Sequence, residues 1–128
     1  MESRLSTVFR LVFGVVLLVW VIMGIAGWEP PPVASEAVAL RDAIFASGYL
    51  IPAVLVVYFV VGASFLTNCF VALGALLLFP VSLNIILFHG FMNPSLRSLL
   101  IAGLLLLANC LMLYQQRSAY ADLLRVRR

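Results

Sequence analysis

Four long apolar runs, separated by short polar segments, dominate the hydrophobic pattern of the chain. They cover about 9–28, 48–66, 68–90 and 97–116. Each run has about the ~20 residues that a helix needs to cross ~30 Å of hydrocarbon. Because the bilayer interior offers no water to backbone N–H and C=O groups, each run is expected to be helical. The pattern predicts an all-α fold, an integral membrane four-helix bundle.

A shorter segment of mixed polarity, about 35–47, lies between the first two runs. Ser35 is suited to cap the start of a helix, and Glu36 would lie near the positive end of the helix dipole. Apolar side chains alternate with Glu36, Arg41 and Asp42, which predicts an amphipathic helix on the extracytoplasmic surface. A lid over the bundle and a plain linker both fit this helix, and the linker is the preferred interpretation.

The composition excludes an ordinary soluble domain, since 65% of the residues are hydrophobic and only 10% are charged. The four runs fit into one membrane domain, 1–128. A nucleic-acid interface is not expected, because it would need a basic face on a folded soluble domain. The lipid bilayer is therefore the first predicted partner.

The arginines are distributed asymmetrically around the runs. Arg4 and Arg10 precede the apolar part of the first run and four arginines follow the last, whereas the loops on the other side hold only Arg41 and Arg97. By the positive-inside rule, both termini are predicted to be cytoplasmic. Counted from Leu11 in the first run and from Ser98 in the fourth, the runs contain no Asp, Glu, Lys or Arg, which argues against proton-coupled transport.

Polar side chains inside the runs are the candidate functional residues. We predict that four of them form a polar pocket that binds a ligand: Tyr58, Asn84, His89 and Asn109. Tyr58 and Asn109 would lie within about one helical turn of each other in depth, given the ~1.5 Å rise per residue. A hydrogen bond between them is therefore predicted. Pro80 removes the helical hydrogen bond to the Leu76 carbonyl, so a kink is expected there.

His89 is the only histidine and allows several interpretations. It could be a haem ligand, a proton relay beside a quinone, or a structural residue hydrogen-bonded to a neighbouring segment, and the structural role is preferred. One histidine cannot supply both ligands of a bis-histidine haem, so haem is disfavoured. The sequence identifies no cofactor, and a quinone is one candidate. Cys69 and Cys110 form no Cys-x-x-Cys pair, and neither a metal site nor a catalytic residue is predicted.

Three segments follow one another along the chain: GWEPPP at 27–32, ASGYLIP at 46–52 and FPVSLNIILFHGFMNP at 79–94. With them, nearly the whole chain resembles the DoxX family of small four-helix bacterial membrane proteins. The resemblance implies a multi-pass protein of the bacterial inner membrane. The family takes its name from a subunit associated with a terminal quinol oxidase and a thiosulfate:quinone oxidoreductase.

The chain departs from the DoxX pattern at two places. Members often carry an acidic residue near the middle of the second span, where this chain has Tyr58. A polar residue late in their first span is replaced by apolar residues around Met23 to Ala26. If those groups handle protons or a substrate in the family, the resemblance implies that this chain has lost that activity.

Three functions follow as hypotheses. The leading one is a structural or accessory subunit of a membrane complex, redox- or quinone-linked through the resemblance, with other membrane-protein subunits as partners. The alternative is a stand-alone bundle that binds a quinone or another lipid-like molecule. Enzymatic quinone chemistry with His89 as proton donor ranks last, so an enzymatic activity of its own is not expected.

Overall fold

The computed structural model describes residues 3–28, 35–92 and 94–125. All regular structure in these ranges is helical. The helices are α1 (Arg4–Ile25), α2 (Ser35–Ala46), α3 (Leu50–Thr67), α4 (Val71–Phe91), α5 (Leu96–Gln115) and α6 (Arg117–Tyr120). Within the described ranges, α1, α3, α4 and α5 are long and apolar enough to cross a membrane. The prediction of an all-helical fold with four apolar helices is confirmed.

Helix α1 begins earlier than the apolar pattern suggested. Ser3 caps it, because its Oγ accepts a hydrogen bond from the Ser6 backbone N–H at 3.1 Å. The helix therefore includes Arg10, and this arginine is buried. The expectation that no charged residue lies within one of the four long helices is wrong, because α1 starts before its apolar run does and α5 starts at Leu96 and so includes Arg97.

Helix α2 lies beside α3 and is exposed over most of its length, with Ala37 its one buried residue. Its Arg41 and Asp42 form a surface ion pair at 3.1 Å. Such an exposed pair contributes at most about 1 kcal/mol. The position of α2 at the extracytoplasmic surface of a bilayer stays a prediction.

A tight turn joins α3 to α4 and makes them antiparallel neighbours. Asn68 and Phe70 both have a φ of 57°, in the left-handed region. Asparagine tolerates this conformation well and often ends helices in it, whereas it is uncommon for phenylalanine. The Cys69 N–H donates to the Ser64 carbonyl at 3.2 Å, and the Ser64 hydroxyl donates to the Cys69 carbonyl. The turn thus supplies partners for backbone groups that the helix end leaves open.

The four long helices pack in chain order. Helix α1 packs against α3, α3 against α4, and α4 against α5. Helices α1 and α5 approach each other less closely, although the Ser6 hydroxyl donates to the Gln115 side-chain carbonyl at 3.0 Å near one end. The described bundle is therefore open along its α1–α5 side.

Two glycines allow the closest helix contact. A Cβ at Gly14 would lie 3.1 Å from the Gly62 carbonyl oxygen, and one at Gly62 would lie 3.2 Å from the Gly14 carbonyl oxygen. Backbone atoms cannot rotate away as side chains can, so larger residues would push α1 and α3 apart. Small residues at such crossings let membrane helices approach each other and gain van der Waals contact.

We predict that Gly62→Leu destabilises the bundle by about 1–3 kcal/mol, the usual cost of overpacking. Gly103→Leu is the matched control, because a Cβ there meets only the Ile86 side chain at 3.9 Å. The melting temperatures of the two variants in detergent are measured by circular dichroism. Equal melting temperatures for the two variants would contradict a close α1–α3 crossing.

Candidate functional site

The amide of Asn109 on α5 is hydrogen-bonded through both its oxygen and its nitrogen inside the bundle. Asn109 Oδ1 accepts a hydrogen bond from the Ser82 hydroxyl at 2.8 Å, and its Nδ2 donates to the Ala75 carbonyl at 3.0 Å. Ser82 Oγ also lies 3.0 Å from the Phe79 carbonyl oxygen. Asn109 and Ser82 are both fully buried, at 0% exposure. These bonds fix α5 against the middle of α4.

The partner predicted for Asn109 was Tyr58, and that prediction is wrong. Tyr58 is buried on α3, where its ring packs against Trp20 of α1 with centroids 5.9 Å apart. No hydrogen bond between Tyr58 and Asn109 occurs in the described structure. Depth alone could not identify the partner, because α5 packs on α4 and does not pack closely on α3.

Asn84 lies on the outward face of α4. Successive residues of an α-helix are rotated by about 100°, so Asn84, two positions after the inward Ser82, points to nearly the opposite side. Its side chain is exposed and makes no hydrogen bond to the described residues. The expectation that Asn84 joins an interior pocket is therefore not met by its position.

His89 lies in the last turn of α4 and is half-buried. Its ring meets the neighbouring Phe88 ring edge-on, with centroids 5.2 Å apart. Its Nδ1 is buried and has no hydrogen-bond partner among the described residues. The hydrogen bond expected for a structural His89 is therefore not present at Nδ1.

The four predicted site residues are thus not linked to one another by hydrogen bonds in the described ranges. Asn109 belongs to a bonded interior cluster, and Tyr58 belongs to an aromatic contact. Asn84 faces outward, and His89 lies near the helix end. Ligand binding by these four residues stays a prediction.

An open groove between α1 and α5 is a second candidate site, and the sequence analysis did not predict it. Its volume is about 290 Å³. Its lining is apolar and is contributed by both helices: Phe9, Val12, Phe13, Val16, Trp20, Ile101, Leu104, Leu105 and Ala108. Trp20 connects this groove to Tyr58 through the ring contact described above. The sequence gives no signal for the groove, because it depends on which helices fail to pack.

A third group of polar contacts lies where α3 ends and α4 begins. The Arg10 guanidinium donates to the Phe65 carbonyl in the last turn of α3. Carbonyls there lack helical donors, and the negative end of the helix dipole favours a cation. The Tyr120 hydroxyl donates to the Ala72 carbonyl at 2.7 Å, and burial raises the pKa of this phenol above its ordinary value. Arg10 and Tyr120 therefore tie α1 and α6 to the α3–α4 turn.

Comparison of the chain with protein-family models, with curated proteins and with solved structures finds no match. The structure itself defines the class, an all-helical protein with four candidate membrane-spanning helices in its described ranges.

Asn109 in the interior and Asn84 on the surface allow a matched test of the two amides. We predict that Asn109→Leu lowers the free energy of unfolding by about 1–3 kcal/mol, because it removes two interior hydrogen bonds worth roughly 0.6 to 1.7 kcal/mol each in a membrane. Asn84→Leu removes no such bond and should leave the monomer's stability nearly unchanged. Unfolding by denaturing detergent, with each variant kept monomeric by dilution, measures the difference. Equal losses would contradict the assignment of the two amides.

Proposed function

We propose that the chain is a structural or accessory subunit of a membrane complex, and that it joins its partner through the outward face of α4. The observation that carries this proposal is the exposed amide of Asn84. A carboxamide facing hydrocarbon has no water to bond with, and an unsatisfied polar group in that environment costs several kcal/mol. A helix of another subunit would supply the missing donor and acceptor.

The backbone carbonyl of Leu76 is a second polar group on the outward face of α4. Pro80 is exposed and has no N–H, so the carbonyl of Leu76 lacks the donor that a regular helix would provide. Leu76 is also exposed. The Leu76 carbonyl and the Asn84 amide both need hydrogen-bond partners, and they therefore lie within about two turns of each other on the outer side of α4. Interhelical hydrogen bonds are a known source of affinity between membrane helices.

The proposal extends to location and orientation. The arginine distribution supports a multi-pass arrangement with both termini in the cytoplasm and α2 at the extracytoplasmic surface. The resemblance to the DoxX family supports the bacterial inner membrane and a redox- or quinone-linked complex. In this arrangement Arg10 and Tyr120 lie at the cytoplasmic end of the bundle.

We predict that Asn84→Leu weakens the native assembly by roughly 3- to 20-fold, the range that corresponds to ~0.6–1.7 kcal/mol per interhelical bond. Purification in mild detergent, followed by quantification of copurifying chains, measures this. Leu100→Ala on the exposed face of α5, outside the groove, is the control and should leave the assembly intact. Recovery of the chain without any stoichiometric neighbour, its own copies included, would refute the subunit role.

The groove between α1 and α5 favours a second candidate function, binding of a quinone or another lipid-like molecule. Its aromatic and aliphatic lining suits an isoprenoid or acyl chain, which gains affinity in proportion to the apolar surface it buries. Such a ligand would reach the groove from the bilayer side. His89 does not line the groove. Quinone chemistry with His89 as proton donor therefore remains the least supported function.

We predict that Ala108→Phe blocks ligand retention, because the added ring fills part of the groove. The measurement is mass spectrometry of molecules extracted from the purified protein, together with quenching of tryptophan emission by an added ubiquinone. Val56→Phe on the exposed face of α3 is the matched control and should bind as the unmodified protein does. Equal retention by both variants would exclude the groove as the binding site.

A further inference from the structure

We infer that the partner on the outer face of α4 is a second copy of this chain, paired along a two-fold axis through Asn84. This inference rests on the proposed subunit function and names the partner. The relevant surface is defined as the α4 seam: Leu73, Leu77, Pro80, Asn84, Leu87 and Phe91.

The α4 seam has the spacing of a helix-pairing surface. Its positions follow one another at intervals of four, three, four, three and four residues, which is the a/d repeat of a coiled coil. All six residues are exposed. Leu73 and Phe91, at its two ends, are 62% and 81% exposed. The seam therefore runs along nearly the whole of α4 and is covered by none of the described residues.

Asn84 occupies a central position of this seam. A single asparagine among apolar seam positions favours pairing with an identical asparagine, because a mismatch would leave one amide unbonded. The carboxamide carries both an acceptor oxygen and an NH₂ donor, so two of them can bond to each other. The amide is thus complementary to itself.

Membrane insertion makes a second copy the partner that fits best. Two copies inserted in the same orientation hold Asn84 at the same depth, and a two-fold axis along the membrane normal brings each seam position next to its own equivalent. A different protein would need a polar residue at that same depth. Gly90 lies beside the seam, within one turn of Leu87. A Cβ at this position would meet no atom within 4 Å, so the surface near the C-terminal end of α4 is open to a neighbour.

The experiment uses cysteine crosslinking of the full chain in lipid vesicles. The free, exposed Cys69 and Cys110 are first replaced by alanine, and Leu87→Cys is introduced with Asn84 intact. Oxidation should crosslink two copies through residue 87, with a yield that changes little when the protein is diluted tenfold in lipid. Leu100→Cys, 58% exposed on α5 and outside the groove, is the control and should crosslink only by collision, so its yield should fall on dilution.

The role of the amide is tested in the same background. Adding Asn84→Leu to Leu87→Cys should lower the crosslinked fraction at high dilution by at least about threefold, and Asn84→Gln should retain more of it than Asn84→Leu does. Absence of a residue-87 crosslink would overturn self-association. If an Asn84-dependent complex with another protein still copurifies in that case, the subunit function stands and only its partner changes. If neither the residue-87 crosslink nor a complex with another protein is found, the subunit function is refuted as well.

Discussion

The bonds of Asn109 to Ser82 and to the Ala75 carbonyl are the interaction on which the arrangement of α4 and α5 depends. Apolar packing alone cannot choose between neighbours in a bilayer, because lipid tails are as apolar as leucine side chains. A buried amide is different, since it must find both a donor and an acceptor. In this protein the Ser82 hydroxyl and the Ala75 carbonyl supply that donor and acceptor on the inward side of α4, and α5 is held there.

Helix α4 consequently has two polar sides with different roles. Ser82 faces inward and satisfies a group of the same chain, whereas Asn84 faces outward and is satisfied by no described residue. In the subunit function we propose, the same physical requirement that joins α5 to α4 within the molecule would act between molecules at Asn84. Pro80 strengthens this contrast, because its missing N–H leaves a further acceptor near the outer face.

The extent to which the sequence predicted the structure follows from these requirements. Run length and polarity were sufficient for the four apolar helices, because any chain in hydrocarbon must satisfy its backbone within each segment. They were not sufficient for Arg10, since the helix begins at a serine cap that hydropathy does not detect. The predicted hydrogen bond between Tyr58 and Asn109 was wrong because a sequence indicates the depth of a residue in a helix. It does not indicate which way the side chain points or which helices are neighbours. The α1–α5 groove was missed for the same reason.

The chain-order packing of the long helices has a consequence for biogenesis. Each close contact between them joins long helices that follow one another along the chain, so each helix can dock on its predecessor as the chain is made. Local contacts of this kind assemble quickly and leave little time for exposed surfaces to mispair. The first and last of these helices need not dock on each other for the close contacts to form, which removes the longest loop closure from the path.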